Sequence, residues 1–184
     1  MQMKSKIISQ IKNKLKFLMK NKEIIDIILF GSVIKGKINP NDIDIAIIID
    51  KSLSKELQEK IDKLDKFHIS ILTLREFFIK PPTIINTLLR EGYSIKNNKY
   101  LAETFDFKTR VLFSYKLTSL SLSKKVKIVN ILRGLKNDNG FVKKSGGEWL
   151  ANQVFIVPVS ASELFEEFFN NFEVNFKKYY LLMH

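Results

Sequence analysis

Two aspartates stand two residues apart in the run Asn41-Asp42-Ile43-Asp44-Ile45-Ala46-Ile47. In an extended chain Asp42 and Asp44 project from one face, while Ile43, Ile45 and Ile47 point into the other. Like charges held that close are costly unless a cation neutralises them. Two hard oxygen ligands on one sheet edge suit Mg²⁺ (or Mn²⁺), which keeps water and phosphate oxygens as its remaining ligands. A nucleoside triphosphate (NTP) would complete such a site. Upstream, Gly31-Ser32 ends the apolar run Ile24 to Phe30. There, free backbone N–H groups and the Ser32 hydroxyl can receive a phosphate, and glycine lets the backbone approach closely. Lys35 and Lys37 follow within one or two turns and can help neutralise a triphosphate tail, with an exposed basic turn as the equal alternative.

Composition narrows the remaining chemistry. The 184 residues include no cysteine, which removes disulfides, thiolate metal sites and cysteine nucleophiles together. Only His68 and His184 are histidines, so any metal must sit on carboxylates. Lys plus Arg number 31 against 19 Asp plus Glu, and the resulting charge of +12 biases partners toward polyanions, nucleic acid or a phosphorylated small molecule first. The longest apolar runs fall far short of the roughly 20 residues that span a bilayer. The first twenty residues lack the h-region of a secretory signal. The expectation is a cytoplasmic chain with no membrane partner.

The elements that must position these residues follow from periodicity and punctuation. Residues 4–20 read as an amphipathic helix with Ile7, Ile8, Ile11, Leu15 and Leu18 on one side. Ile24 to Phe30 reads as a strand buried on both faces, and Asn39-Pro40-Asn41 as the turn into a second strand, Asp42 to Asp50. A helix carrying Leu53, Leu57, Ile61 and Leu64 leads to a strand near Phe67 to Leu72. Thr73 with Glu76 has the spacing of a capping box, and a further helix with Ile84, Ile85, Leu88 and Leu89 ends at Gly92. The pattern restarts after Lys96 to Lys99. Thr109 to Leu117 reads as a strand, Ser121 to Leu135 as a helix, and Asn137 to Gly147 as a polar loop. Val154 to Val159 follows as a strand, then a helix opened by a Ser160–Glu163 capping box, then a strand from Val174 to Leu182. Its Phe stripe, at residues 165, 168, 169 and 172, reads as core. The chain is thus expected to be α/β (α+β): a domain over 1–100 with a mixed sheet flanked by helices, and a small C-terminal α+β domain over 101–184.

The segment Phe30-Gly31-Ser32 through Asp42-Ile43-Asp44 resembles the nucleotidyltransferase superfamily typified by DNA polymerase beta, particularly its minimal prokaryotic and archaeal members. Those proteins run from an apolar strand through Gly-Ser and a short helix to Asp-x-Asp on the next strand. Leu88-Leu89-Arg90-Glu91-Gly92-Tyr93-Ser94-Ile95 is similar to the helix-Gly-strand exit of the minimal domains, so the resemblance covers roughly residues 5–98. It implies transfer of a nucleoside monophosphate from an NTP to an acceptor hydroxyl with release of pyrophosphate, through metal ions held by Asp42 and Asp44. Active members usually carry a third carboxylate on the following strand. Here Lys66 to Leu72 contains none, and alternation puts Asp65 on the opposite face from Lys66, His68 and Ser70. His68 stands in that place, either as a base or weak ligand or as a structural histidine.

The C-terminal half resembles no family. It carries Lys124, Lys125, Lys127, Arg133, Lys136, Lys143 and Lys144 around one helix and its loop, a cluster that either favours RNA phosphates or forms a solvated face. Gly146-Gly147 and Trp149 can stack on a base or anchor the loop. Two readings stand: a metal-dependent nucleotidyltransferase acting on an RNA end, and a nucleotidyltransferase-like module without turnover that binds RNA or a protein. A variant of the first modifies a hydroxyl of a protein partner, as antitoxin-type minimal members do.

Overall fold

The computed structural model describes residues 2–37, 40–135 and 138–184, with side chains from residue 7 onward. Asn39 of the expected turn, Lys136 of the basic cluster and Asn137 of the expected loop lie outside the described residues. The chain divides into two compact units, Met1–Phe107 and Lys108–His184.

In the first unit the N-terminal helix is α1 (Gln2–Lys14) followed by α2 (Lys16–Met19), not one helix through residue 20. The break falls at Leu15, whose φ of −94° and ψ of 8° leave the α region, yet Ile11, Leu15 and Leu18 are all buried. β1 (Ile24–Phe30) runs into α3 (Ser32–Lys35), and β2 (Ile43–Ile49) returns antiparallel to β1. α4 (Lys55–Asp62) then crosses over, so β3 (Phe67–Thr73) lies parallel to β2. α5 (Leu74–Phe78), α6 (Ile84–Glu91) and the short pair β4 (Tyr93–Ser94) and β5 (Lys99–Tyr100) complete a mixed sheet of order β3-β2-β1-β4-β5.

One face of this sheet is sealed by Ile28, Ala46, Ile48 and Leu72 against Phe77 of α5 and Ile85 and Leu88 of α6. Register carries the same face to a polar end. Ala46 lies opposite Ile28 and Asp44 opposite Phe30, while His68 is paired with Asp44 on β3. Because side chains alternate with period two, a face that is core at Ala46 and Ile48 must present Asp44 at its edge. The Thr73–Glu76 capping box forms: Glu76 N–H donates to Thr73 Oγ1, and the Thr73 N–H and hydroxyl donate to Glu76 Oε2. Those bonds hold the Glu76 carboxyl below the ordinary carboxylate range. The box therefore contributes fully above the unfolded carboxyl's pKa and is lost as pH falls through the lowered one.

The second unit is a four-stranded antiparallel sheet of order β7-β8-β6-β9, built from β6 (Lys108–Lys116), α7 (Leu122–Arg133), α8 (Phe141–Lys144), β7 (Glu148–Ala151), β8 (Val154–Pro158), α9 (Ser162–Asn171) and β9 (Asn175–Met183). The order β6-α7-β7-β8-α9-β9 is the split βαβ pattern, in which β8 inserts between β6 and β7. The expected loop from 137 to 147 contains α8, and Trp149 belongs to β7 rather than to a loop. The second capping box does not form: Val159–Ala161 is a 3₁₀ turn, and α9 starts at Ser162 after Ala161. The Phe stripe is core. Phe165 and Phe169 are buried against Phe113 and Phe155, with ring centroids 5.7 Å apart for Phe113–Phe165 and 5.0 Å for Phe155–Phe165.

Phe165→Ala is therefore expected to lower the stability of this unit by about 3–5 kcal/mol. Urea unfolding followed by circular dichroism measures it, and a loss below about 1 kcal/mol would contradict the packing described.

Candidate functional site

The site is built at one end of β1 and β2. β1 ends where Gly31 takes φ 73° and ψ −149°, a region of backbone space open essentially only to glycine. A Cβ built on Gly31 would lie 2.2 Å from Oδ2 of Asp44 and 3.1 Å from its Cγ. The Asp44 carboxylate is thus seated directly against the backbone of the Gly31-Ser32 turn. Asp44 Oδ1 also lies 3.2 Å from Nδ1 of His68, whose ring is largely exposed. Strand pairing brings these two together, because Asp44 and His68 are register partners on parallel β2 and β3.

Asp42 precedes β2 instead of lying within it, and its side chain is exposed. Strand alternation places Asp44 on the face of Ala46 and Ile48, and Asp42 lies one residue before the paired strand. Ser32 opens α3, and Ser32 and Val33, as its first residues, have N–H groups for which the helix supplies no acceptor. Lys37 is exposed, and its backbone N–H donates to the Ser32 carbonyl at 3.0 Å.

Lys35 behaves differently from Lys37. Its Nζ lies 3.3 Å from Oε1 of Glu91, and the same oxygen accepts the Gly31 N–H at 3.2 Å. Glu91, on the last turn of α6, is only 2% exposed. A buried carboxylate is stable only when paired and hydrogen-bonded, and here its two partners are the turn and the lysine that follows it. Glu91 is the residue that sequence reasoning missed. Its position before Gly92 marks the end of a helix, and nothing in its spacing discloses that α6 delivers it beneath Gly31.

The donor set fits a divalent cation that brings most of its own ligands. Among the described residues no Lys or Arg pairs with Asp42 or Asp44, so their charge is left for another cation to balance. Among the described residues, too, no three His, Asp or Glu side chains gather closely enough to hold a metal ion by themselves. A hard ion bound through one or two carboxylates and completed by water and phosphate oxygens suits that arrangement.

Most of the basic residues of the second unit are engaged within it. Lys124 pairs with Glu173 at 3.2 Å and Lys144 with Asp138 at 2.7 Å. Lys125 Nζ reaches the Thr118 carbonyl, Lys127 lies over the Phe172 ring, and Arg133 stacks 4.1 Å from the centroid of Trp149. Trp149 also meets Phe155, 5.2 Å between centroids with the rings inclined at 63°. Lys143 is exposed.

Residues 11–101, which include all the groups of the first unit just described, match the family model described as Polymerase beta, Nucleotidyltransferase. A search of curated proteins finds no match to this chain.

Glu91→Gln keeps the shape and one acceptor but removes the charge facing Lys35, whereas Glu91→Ala orphans the Gly31 N–H as well. Glu91→Ala is expected to cost about 3–5 kcal/mol, as breaking a buried pair does, and Glu91→Gln clearly less. Thermal unfolding of both variants checks the order, and equal losses would contradict the bond to Gly31.

Proposed function

Residues 11–101 belong to the polymerase beta type of nucleotidyltransferase, and from that premise we propose that the chain transfers a nucleoside monophosphate from an NTP to an acceptor hydroxyl, an RNA end being the acceptor its charge favours. The observation that carries this reading is the Asp44 carboxylate seated against Gly31 at the edge where β1 ends and β2 and β3 begin. In the step itself the acceptor oxygen bonds to the α-phosphorus as the bond from that phosphorus to the bridging oxygen breaks, and pyrophosphate leaves with the bridging electron pair.

The chain's residues divide the work. The turn after Gly31 receives the triphosphate through the Ser32 and Val33 N–H groups and the Ser32 hydroxyl, the Gly31 N–H being taken by Glu91. Lys37 offers a free cation to the tail, while Lys35, held by Glu91, lends a charge whose position is fixed before substrate arrives. Asp42 and Asp44 would hold Mg²⁺ or Mn²⁺. When bound, these ions supply the Lewis-acid charge that activates the acceptor hydroxyl and stabilises the leaving oxygen. With Nδ1 donating to Asp44 Oδ1, His68 keeps the Nε2 lone pair free to take the acceptor's proton, in the place where family members usually carry a third carboxylate. The exposure of His68 suits contact with an incoming substrate.

Incubation with α-labelled NTPs, Mg²⁺ or Mn²⁺ and total RNA is expected to place label in RNA. Asp44→Asn and Asp42→Asn should each abolish transfer and metal-dependent NTP binding while leaving the melting temperature within a few degrees of wild type. His68→Ala should lower the rate by about 10²–10⁴-fold with NTP affinity nearly unchanged, the range expected for a general base. Label appearing in protein instead would support the protein-modifying variant. Equal Mg²⁺-dependent NTP affinity in wild type and both Asn variants would overturn the assignment.

A further inference from the structure

We propose that the sheet face of the second unit turned away from its helices is a binding platform for single-stranded RNA, with Tyr179 as its stacking surface and Lys108, Arg110, Lys116 and Lys177 as its phosphate contacts. The inference deepens the acceptor half of the reading above and rests on it for the choice of RNA, although binding itself needs no turnover.

Strand register separates the two faces. Phe113 and Tyr115 of β6 are buried against Phe169 of α9, with centroids 5.8 and 5.2 Å away, so odd-numbered positions of β6 face the helices. Lys108, Arg110, Leu112, Ser114 and Lys116 alternate to the other side. Their partners on β9 continue that face: Leu181 beside Arg110, Tyr179 beside Leu112, and Lys177 beside Ser114. Tyr179 is 51% exposed and Lys108, Lys116 and Lys177 are exposed, with Arg110, Leu112 and Leu181 half-buried and Ile156 of β8 buried beside Leu112.

Charge decides what this face fits. None of its four cations has a carboxylate partner among the described residues, whereas Lys124, Lys144 and Lys178 are paired with Glu173, Asp138 and Glu166. The strands set only Glu148 among acids against them, since β6, β8 and β9 contain no Asp or Glu. Four unneutralised cations around an exposed tyrosine and aliphatic side chains on a sheet repel a second copy of this basic chain. They match a strand with an anionic backbone and splayed, stackable bases.

The test is fluorescence anisotropy of a labelled single-stranded RNA of mixed sequence against the full chain, repeated over a range of salt. Arg110→Ala with Lys177→Ala should make the slope of log affinity against log salt shallower by about 1.4, at roughly 0.7 per lost contact. Tyr179→Ala should weaken binding by about tenfold or more with the slope unchanged, and Tyr179→Phe should restore it, because stacking needs the ring and not the hydroxyl. Arg110→Ala with Lys177→Ala should keep wild-type Mg²⁺-dependent NTP affinity, which separates failure of this platform from failure of the transferase reading. Lys14→Ala with Lys16→Ala is the control for general charge. Circular dichroism confirms that each variant is folded. No binding by wild type, equal slope changes in the sheet and control pairs, or a larger change from Lys124→Ala with Lys143→Ala would overturn the proposal. Tighter binding of a duplex than of the single strand would overturn it as well.

Discussion

The site depends on a missing side chain. Gly31 has no Cβ, and the space a Cβ would take is filled by the carboxylate of Asp44. That contact fixes the last residue of β1, the start of α3 and the edge of β2 in one arrangement. The backbone conformation at Gly31 would cost a larger residue of order 1–3 kcal/mol even in open space. It persists because Glu91 accepts the Gly31 N–H from below while β2 closes over it from the side.

Electrostatics then gives the corner its character. The chain carries a charge of +12, yet its candidate site is assembled from carboxylates: Asp42, Asp44 and the buried Glu91. Glu91 is satisfied internally by Lys35 and by a backbone donor. Asp42 and Asp44 are not balanced by any lysine or arginine among the described residues, and that imbalance is what a cation arriving with a triphosphate would relieve. One acid is structural and two are left available. On the second unit Lys124, Lys144 and Lys178 are paired with carboxylates, while among the described residues Lys108, Arg110, Lys116 and Lys177 of the sheet have no carboxylate partner.

Much of this was legible in residue order because the local signals were strong. Ile24 to Phe30 is a short apolar run closed by Gly-Ser, and Ile45 to Ile49 is a second such run behind a turn signal, so β1 and β2 follow from apolar runs and punctuation. The capping pair Thr73–Glu76 forms as its spacing predicts, while Ser160–Glu163 has the same spacing and does not, because a 3₁₀ turn occupies the place of a cap. Asp42 falls one residue before its strand, within the margin by which element ends are drawn. β4, β5 and β7 are two to four residues long, too short to display a period; β4 exists through pairing with distant β1, and β5 and β7 through pairing with their neighbours β4 and β8. Glu91 is the sharpest case. Its burial and both of its partners arise from the packing of α6 beside β1, which no window of sequence contains.

The direct test of the central claim is a double-mutant cycle between residues 31 and 44. Gly31→Ala, Asp44→Ala and the double variant would be unfolded in urea, and the coupling read from the four midpoints and slopes. Two residues in contact couple by about 0.5–3 kcal/mol. If the Asp44 carboxylate occupies the Cβ position of residue 31, Gly31→Ala should cost clearly more with Asp44 present than with Ala at 44, the remainder being the strain of the glycine conformation alone. Additive losses, with coupling below about 0.3 kcal/mol, would mean that the carboxylate does not rest on the turn. The geometry from which the nucleotide site is argued would then be wrong.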